Sequence, residues 1–216
     1  MRRKTLLVCG IVASLLYVIA TVLGAMRWEG YSATSQTVSE LFAIDAPSKS
    51  LVDPLFVIYS ILWIAFGVGV WQSAGPTRAL RIAAVGLIGK EVEGLVVQLF
   101  FPMHQRGFTG TANDPLHGVL TYVGVAFFLT AIAFAATAFG KRFRLYSIAT
   151  LLVCIAFGTL TGLDIPRMVG NQPTPWMGIF ERINIFSYLL WAVVLAMMLL
   201  RGQETTHAAA PVPKAA

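Results

Sequence analysis

Charged residues are scarce in this sequence. Asp, Glu, Lys and Arg make up 12% of its 216 residues, whereas 57% of the residues are hydrophobic. Soluble globular domains carry about 25% charged residues, roughly twice this share. The shortage of charge excludes an ordinary soluble domain and predicts a protein that is embedded in a membrane.

Cysteine and histidine are also rare, with two and three copies respectively. Cys9 and Cys154 each fall inside an apolar stretch and form no CxxC pair, so no disulfide framework is predicted. The chain contains no HExxH motif, no Walker motif and no dinucleotide-binding glycine motif. The standard signatures of metalloproteases and nucleotide-binding enzymes are therefore absent.

Long apolar stretches dominate what is present. Six of them stand out, at 5–26, 51–72, 80–103, 117–139, 145–163 and 182–200. Each approaches the length of about 20 residues that a membrane-spanning helix needs. Such runs must be helical, because lipid offers no partner for the backbone N–H and C=O groups.

The predicted fold class is therefore all-α, a polytopic membrane protein built as a six-transmembrane-helix bundle. We expect this domain to cover residues 1–202. The first apolar stretch is predicted to be a retained helix, because it is longer than the apolar core of a signal peptide. Residues 203–216 are rich in Ala and Pro and are predicted to form a disordered cytoplasmic tail.

The distribution of Lys and Arg predicts the orientation. If the N-terminus is cytoplasmic, ten basic residues near helix ends fall on the cytoplasmic side and five on the other. By the positive-inside rule both termini are then cytoplasmic, and loops 27–50, 104–116 and 164–181 lie on the extracytoplasmic side of the membrane. The net charge of +6 follows from this distribution, and nucleic-acid binding is not predicted because no solvated basic face is present.

The third apolar stretch carries charge at its centre, with Lys90, Glu91 and Glu93 close together. A charge at the bilayer centre costs about 2.5–3.5 kcal/mol, so these side chains are expected to face the bundle interior. Lys90 and Glu93 are three residues apart and are predicted to pair along one helix face. Two interpretations remain open: a buried pair that fixes helix arrangement, or a proton or ion relay through Glu91.

Polar residues also gather in the predicted outer loops and at the helix ends beside them. They are Ser39, Glu40, His104, Arg106, Asp114, His117, Asp164, Arg167, Glu181 and Arg182. Residues 37–40 read as a capping box, with the Glu40 carboxylate returning to the Thr37 backbone N–H. A small six-helix bundle is expected to bring His104, His117, Glu40 and Glu181 into one outward-facing pocket.

Histidines beside carboxylates suit a divalent metal such as zinc, or a general base with an orienting acid. The predicted catalytic residues are Ser39, Glu40, His104, Asp114, His117 and Glu181, and the metal set would be His104, Asp114 and His117. The predicted substrate-binding residues are Lys90, Glu91, Glu93, Arg106, Asp164, Arg167 and Arg182. The alternative is that the loop residues form salt bridges at the membrane surface and tie the loops together.

Several short motifs point to a known family. They are Ser39-Glu40-Leu41, Asp45-Ala46-Pro47-Ser48, Phe101-Pro102-Met103-His104-Gln105-Arg106-Gly107, His117-Gly118 and Glu181-Arg182. With these motifs the chain resembles the domain-of-unknown-function 998 family of prokaryotic membrane proteins, over nearly its whole length. That family is distantly similar to the Frag/DRAM/Sfk group of six-helix membrane proteins, some of which are linked to lipid handling. The resemblance implies the six-helix architecture and assigns no reaction.

Three functions from different classes remain open. The first is the handling of a lipid or other amphiphile at the extracytoplasmic face, by metal-assisted or acid–base hydrolysis, with membrane lipids as partners. The second is a transporter or channel-like protein that uses Lys90, Glu91 and Glu93. The third is a membrane scaffold without catalysis. Chemistry at the outer site predicts that the charges at the centre of the third helix are dispensable, whereas transport predicts that they are required.

Overall fold

The computed structural model describes residues 2–107 and 111–208, and these residues contain helices and no strand. A short 3-10 helix, Ser39–Phe42, lies in the first loop. The six α-helices are α1 (Arg2–Arg27), α2 (Lys49–Ser73), α3 (Arg78–Phe100), α4 (Asn113–Ala138), α5 (Lys141–Val169) and α6 (Met177–Ala208). The predicted all-α class is confirmed.

The six helices form a closed ring. Each helix packs against the next one along the chain, and α1 packs against α6. The loops that join α1 to α2, α3 to α4 and α5 to α6 meet at one end of the ring, which we call the loop end. There the Ile44 N–H donates to the Met103 carbonyl at 2.8 Å, and the Ile179 N–H donates to the Thr34 carbonyl at 3.1 Å. The predicted convergence of these three loops is confirmed.

Five of the helices, α1, α2, α4, α5 and α6, are long and apolar enough to cross a membrane. This identifies a multi-pass membrane protein. The remaining helix, α3, has 23 residues, which at 1.5 Å per residue corresponds to roughly 34 Å. It differs from the other five because charged residues interrupt its apolar sequence, at its start and again at Lys90, Glu91 and Glu93.

Small residues let the helices approach closely. A Cβ atom at Gly86 would lie 2.8 Å from the Phe127 carbonyl oxygen of α4, and one at Gly89 would lie 2.7 Å from the Phe127 ring. These two glycines therefore let α3 and α4 approach closely. Gly94 differs, because its nearest neighbours are the side chains of Lys90 and Glu91 on its own helix.

Several helix ends differ from the predicted bounds. Helix α3 ends at Phe100, and α4 begins at Asn113, so that Asp114 and Pro115 belong to the first turn of α4. Proline is tolerated there because first-turn N–H groups have no partner within the helix. Helix α5 continues through Pro166.

Helix α6 extends to Ala208, and its part that is apolar enough to cross a membrane is Met177–Gly202. The division at residue 202 into a membrane domain and a disordered tail stays a prediction. Of the predicted tail, residues 209–216 lie outside the described residues.

Candidate functional site

A cavity of about 850 Å³ lies within the ring and receives side chains from all six helices. Nine of the thirteen predicted site residues line it: Ser39, Lys90, Glu91, Glu93, His104, Arg106, Asp114, His117 and Glu181. The loop residues and the charged residues of α3 therefore border the same space, although the sequence suggested two separate sites. Glu91 and Gln98 both line the cavity and are seven positions apart on α3, roughly 10 Å along the helix axis, so the cavity reaches into the bundle.

Arg106 is the centre of a buried ion pair beneath the loops. Its Nε and Nη2 atoms donate to the two carboxylate oxygens of Glu40 at 2.6 and 3.0 Å. The Thr37 N–H also donates to Glu40, at 2.7 Å, which confirms the predicted return of this carboxylate to the backbone. Arg106 further donates to the Thr174 hydroxyl at 2.6 Å and to the Ser35 carbonyl. These contacts join all three loops of the loop end.

His104 and Asp114 form a second pair. One oxygen of Asp114 accepts from the His104 backbone N–H at 2.7 Å, and the other lies 3.0 Å from the His104 Nδ1 atom. An ionised carboxylate can only accept, so Nδ1 carries a proton and Nε2 is the basic nitrogen of the neutral ring. The predicted combination of a histidine with an orienting acid is present in this pair.

His117 is held by the backbone. It is buried, and its Nδ1 atom lies 2.9 Å from the Phe101 carbonyl oxygen. A carbonyl oxygen can only accept, so Nδ1 again carries the proton and Nε2 retains its lone pair. Among the described residues this Nε2 atom has no hydrogen-bond partner. The two cavity histidines therefore share one tautomer, fixed by different acceptors.

The predicted metal set of His104, Asp114 and His117 is not assembled. Within 2–107 and 111–208, no group of three or more His, Cys, Asp or Glu side chains is placed to hold a metal ion. The Asp114 carboxylate, one of the three predicted ligands, is instead engaged with the backbone N–H and the Nδ1 atom of His104. Catalytic zinc sites usually take three ligands from the protein, and this geometry does not supply them.

Glu181 and Arg182 secure the first loop. The Glu181 carboxylate accepts from the Val38 N–H at 2.5 Å. Arg182 donates to the Ala33 carbonyl at 2.8 Å and to the Tyr31 hydroxyl at 2.6 Å. Burial raises the pKa of the Tyr31 hydroxyl above its ordinary value, although the neighbouring Arg182 charge acts in the opposite direction. Arg182 therefore holds loop structure and does not line the cavity.

Asp164 and Arg167 lie apart from the other predicted site residues. They form a 3.4 Å pair with each other near the end of α5, and the arginine is exposed. Neither side chain lines the cavity. At this position the alternative prediction, a surface salt bridge, describes the contact.

The charged residues of α3 are arranged differently from the prediction. Glu91 faces the interior as expected, is 2% exposed and accepts from the Ser60 hydroxyl at 2.6 Å. The predicted Lys90–Glu93 pair is wrong, because Lys90 pairs instead with Glu91 at 3.3 Å. Glu93 is turned toward α4, where Gly124 leaves room, since a Cβ atom at Gly124 would overlap a Glu93 oxygen.

The sequence did not identify the aromatic lining of the cavity. The rings that line it come from four α-helices and from the 3-10 helix and are Tyr17, Phe42, Phe56, Tyr59, Tyr122, Phe128 and Tyr188. Aromatic residues are common in apolar helices, so only three-dimensional packing separates these rings from those facing lipid. The hydrogen bond between Ser60 and Glu91 joins two helices, so the sequence does not indicate this pairing.

One comparison with known proteins gives a match. The family described as "Protein of unknown function (DUF998)" matches residues 11–198 of the chain. No curated protein and no solved structure matches the chain. The similarity to the Frag/DRAM/Sfk group is not tested by this match and stays a prediction.

Proposed function

The chain belongs to the DUF998 family, whose description assigns no function, and we propose from its geometry that it binds an amphiphile inside the helix ring. The supporting observation is a single cavity of about 850 Å³ with polar groups at the loop end and aromatic walls below them. Ligand cavities of about 300–1,000 Å³ with mostly apolar walls and a few placed polar groups are typical of small-molecule sites.

The amphiphile would leave the cavity laterally, between α4 and α5. Three side chains on these helices line the cavity although they are strongly exposed: Val119 at 61%, Tyr122 at 59% and Val169 at 44%. Exposed apolar groups on a membrane helix face acyl chains. A ligand with its polar part inside the ring would therefore have an apolar path for its chain between these helices.

The proposal includes the orientation and the number of spans. We place α3 across the membrane as the sixth span, because its 23 residues are enough to cross the hydrocarbon core and its mid-helix charges line the cavity. We place the protein in the cell membrane, with both termini cytoplasmic and the loop end outside. The amphiphile would then enter from the outer leaflet.

Acid–base hydrolysis is the reaction that the polar groups support. His104 and His117 both line the cavity; the Nδ1 atom of His117 is bonded to a carbonyl oxygen, so this ring offers a basic Nε2 atom, and His104 has its Nδ1 atom beside Asp114. In hydrolysis one histidine would take a proton from water as the oxygen attacks an ester or amide carbonyl. The resulting imidazolium would then return that proton to the departing alcohol or amine, and Asp114 would hold His104 in position.

Filling the cavity tests the binding proposal. Gly118 lines the cavity, and a Cβ atom there would meet nothing within 4 Å. We expect Gly118→Leu to occupy ligand space without disturbing the fold. Its matched control is Gly140→Leu, which has equally open surroundings and lies outside the cavity.

The measurement is native mass spectrometry of both variants and the wild type with a single-chain amphiphile added. Bound amphiphile should be seen with the wild type and Gly140→Leu and be at least tenfold reduced with Gly118→Leu. Equal occupancy in all three proteins would show that the amphiphile binds elsewhere, and the proposal would fail.

Transport is a second candidate, favoured by one observation. Lys90 and Glu91 border the same cavity as the loop-end histidines, so ionisable groups continue toward the membrane centre. Ionisable residues within a membrane often mark substrate or ion pathways. Glu91→Gln should abolish flux of substrate into proteoliposomes if the protein is a transporter, whereas hydrolysis in detergent should persist if it is an enzyme.

A further inference from the structure

We propose that the cavity recognises an uncharged head group that carries several hydroxyl groups, such as glycerol or a sugar. This inference rests on the proposed function and names the head group of the amphiphile. It follows from the direction of the hydrogen bonds in the cavity wall, where polar side chains give their protons to the protein and leave acceptor atoms for the ligand. A free polyol carries the same hydroxyl groups and is distinguished from an amphiphile in the experiment below.

Asn184 on α6 shows this arrangement most clearly. It lines the cavity and is 8% exposed, and its Nδ2 atom donates to the Cys154 carbonyl of α5 at 2.6 Å. A carbonyl oxygen can only accept, so the amide nitrogen faces α5 and the Oδ1 atom has no partner among the described residues. In this part of the chain, the fully enclosed side-chain atoms without a partner are Trp63 Nε1 and the Tyr188 hydroxyl. The Asn184 Oδ1 atom is therefore an accessible acceptor in the cavity wall.

Gln98 on α3 and His117 on α4 repeat the arrangement. Gln98 is 7% exposed, and its Nε2 atom donates to the Asp53 carbonyl at 3.0 Å, which leaves Oε1 without a partner in the described ranges. His117 is 8% exposed and gives its Nδ1 proton to the Phe101 carbonyl, so its Nε2 lone pair remains. Both side chains line the cavity. Buried polar groups nearly always have a partner, so unused acceptors from three helices indicate a ligand that donates hydrogen bonds.

Hydroxyl side chains of the wall also give their protons to the protein. Thr161 donates to the Phe157 carbonyl at 2.9 Å, and Ser60 donates to the Glu91 carboxylate at 2.6 Å. Thr161 and Ser60 both line the cavity. A hydroxyl group has one proton and two lone pairs, so only acceptor capacity remains at these two oxygens.

The charges of the wall disfavour an anionic head group. An anion needs free donors, yet Arg106 already donates four hydrogen bonds to other groups of the loop end. Lys90, the other basic residue of the wall, pairs with Glu91 at 3.3 Å. Hydroxyl groups supply donors without adding charge to a buried site, where an uncompensated charge is costly.

The positions of the acceptors indicate more than one hydroxyl group. Gln98 lies two positions before Phe100, the last residue of α3, and Asn184 lies seven positions after Met177, the first residue of α6. At 1.5 Å per residue these positions are roughly 3 and 10 Å from the loop end. A hydroxyl group also has lone pairs, so it can accept from the Tyr17 hydroxyl, which lines the cavity. A polyol supplies donors at both depths, whereas a simple alcohol supplies one.

Binding of tritiated 1-O-dodecylglycerol tests the inference against its di-O-methyl ether, which has the same chain and no O–H group. The protein is placed in nanodiscs of phosphatidylcholine, whose head group has no N–H or O–H donor. The wild type should bind the diol at least tenfold more tightly, because the ether leaves the protein acceptors unpaired. Asn184→Leu should remove most of this preference.

A matched pair of variants on α5 keeps the fold constant. Thr161→Val removes a hydroxyl from the cavity wall and should reduce the preference for the diol at least threefold. The control is Thr150→Val, because Thr150 makes the same type of bond, to the Tyr146 carbonyl at 3.0 Å, and lies outside the cavity. It should leave the preference unchanged.

Three outcomes overturn the inference: equal affinity for the diol and its ether, tighter binding of dodecylammonium than of the diol, or an unchanged preference in Thr161→Val and Asn184→Leu. If Asn184→Leu does not fold, the wild type and Thr161→Val decide. Equal binding of the diol and its ether, blocked by Gly118→Leu, would refute hydroxyl recognition and keep the amphiphile function.

A second arm uses tritiated sorbitol, a polyol without an alkyl chain. Saturable binding of sorbitol without binding of the diol would support a free polyol as the ligand and refute the amphiphile function. Absence of binding by sorbitol, the diol and its ether would overturn both the inference and the proposed function.

Discussion

Arg106 both lines the cavity and forms the buried ion pair with Glu40 that joins the loops. It donates to both oxygens of Glu40, which is only 1% exposed. Replacing one member of a buried ion pair leaves the other charge unpaired and costs about 3–5 kcal/mol. Arg106→Met should therefore lower the free energy of unfolding by about this amount. Arg106→Met combined with Glu40→Met should recover much of the loss, measured by thermal unfolding in detergent. Equal destabilisation of the single and double variants would contradict the pairing.

The two histidines carry a separate prediction at the same scale. His104→Gln and His117→Gln should each reduce hydrolysis of an ester-linked amphiphile by roughly 10²–10⁴-fold, the usual range for loss of an acid–base group. Amphiphile binding in native mass spectra should remain. Asp114→Asn should act on the same step, because the amide can present an N–H toward Nδ1 and so disturb the tautomer of His104. Unchanged turnover in all three variants would remove the hydrolytic reaction from the proposal.

At the residue scale, the sequence predicted the positions of side chains that a single physical rule determines. It did not predict contacts that depend on residues of another helix. The burial of Glu91 followed from the cost of charge in lipid. The partner of Lys90 did not follow from spacing, because Lys90 pairs with the adjacent Glu91 and the Glu93 carboxylate lies against Gly124 of α4. Among the described residues no three-residue metal group forms, and the Asp114 carboxylate is instead engaged with His104, a contact between loop and helix that spacing alone does not show.

At the scale of helices, close approach of α3 and α4 makes Gly86 sensitive to size. A Cβ atom there would lie 2.8 Å from a backbone oxygen of Phe127, so the helices must move apart. Gly86→Ala should destabilise the protein by about 1–3 kcal/mol, the typical cost of overpacking. Gly118→Ala is the matched control on α4, where space is open. It should be neutral or stabilising by about 0.5–1 kcal/mol. Similar melting temperatures for the two variants would contradict this account.

The existence of the helices could be predicted from the sequence, but some of their ends could not. Apolar stretches of about 20 residues require helices in lipid. The ends depend on polar contacts outside the helices. Helix α4 begins before His117 because Asp114 sits in its first turn and binds His104 of the preceding loop. The strand-free class and the number of helices therefore came from composition, whereas the loop geometry required tertiary contacts.

For the whole molecule, orientation is the next testable consequence. Single cysteines at Glu29 and Gln172 lie at the loop end, and one at Lys141 lies at the opposite end; all three positions are exposed. In a background with Cys9 and Cys154 replaced by alanine, a membrane-impermeant maleimide should label intact cells at the first two positions only. Labelling at Lys141 should appear after permeabilisation. The reverse pattern would place the loop end in the cytoplasm and move the amphiphile entrance to the inner leaflet.

The meeting of the three loops at one end was predictable, because consecutive spanning helices joined by short connections alternate in direction. That these loops and the charged residues of α3 border one cavity could not be predicted. That result depends on the closed ring, which leaves space in its centre between aromatic rings from several helices. The pattern of polar and apolar residues shows which face of a single helix is polar. It carries no information on the cavity that the six helices enclose together.

The most direct test of the central claim is photo-crosslinking with an amphiphile that carries a diazirine in its chain. After irradiation in membranes, peptide mass spectrometry locates the labelled residues. The account predicts labels on cavity-lining residues of α4 and α5, such as Val125, Thr161 and Ile165, and their loss when excess unlabelled amphiphile is added. Labels confined to lipid-facing residues such as Leu15 and Leu152, which are 60% and 64% exposed, and unaffected by competition, would contradict binding inside the ring.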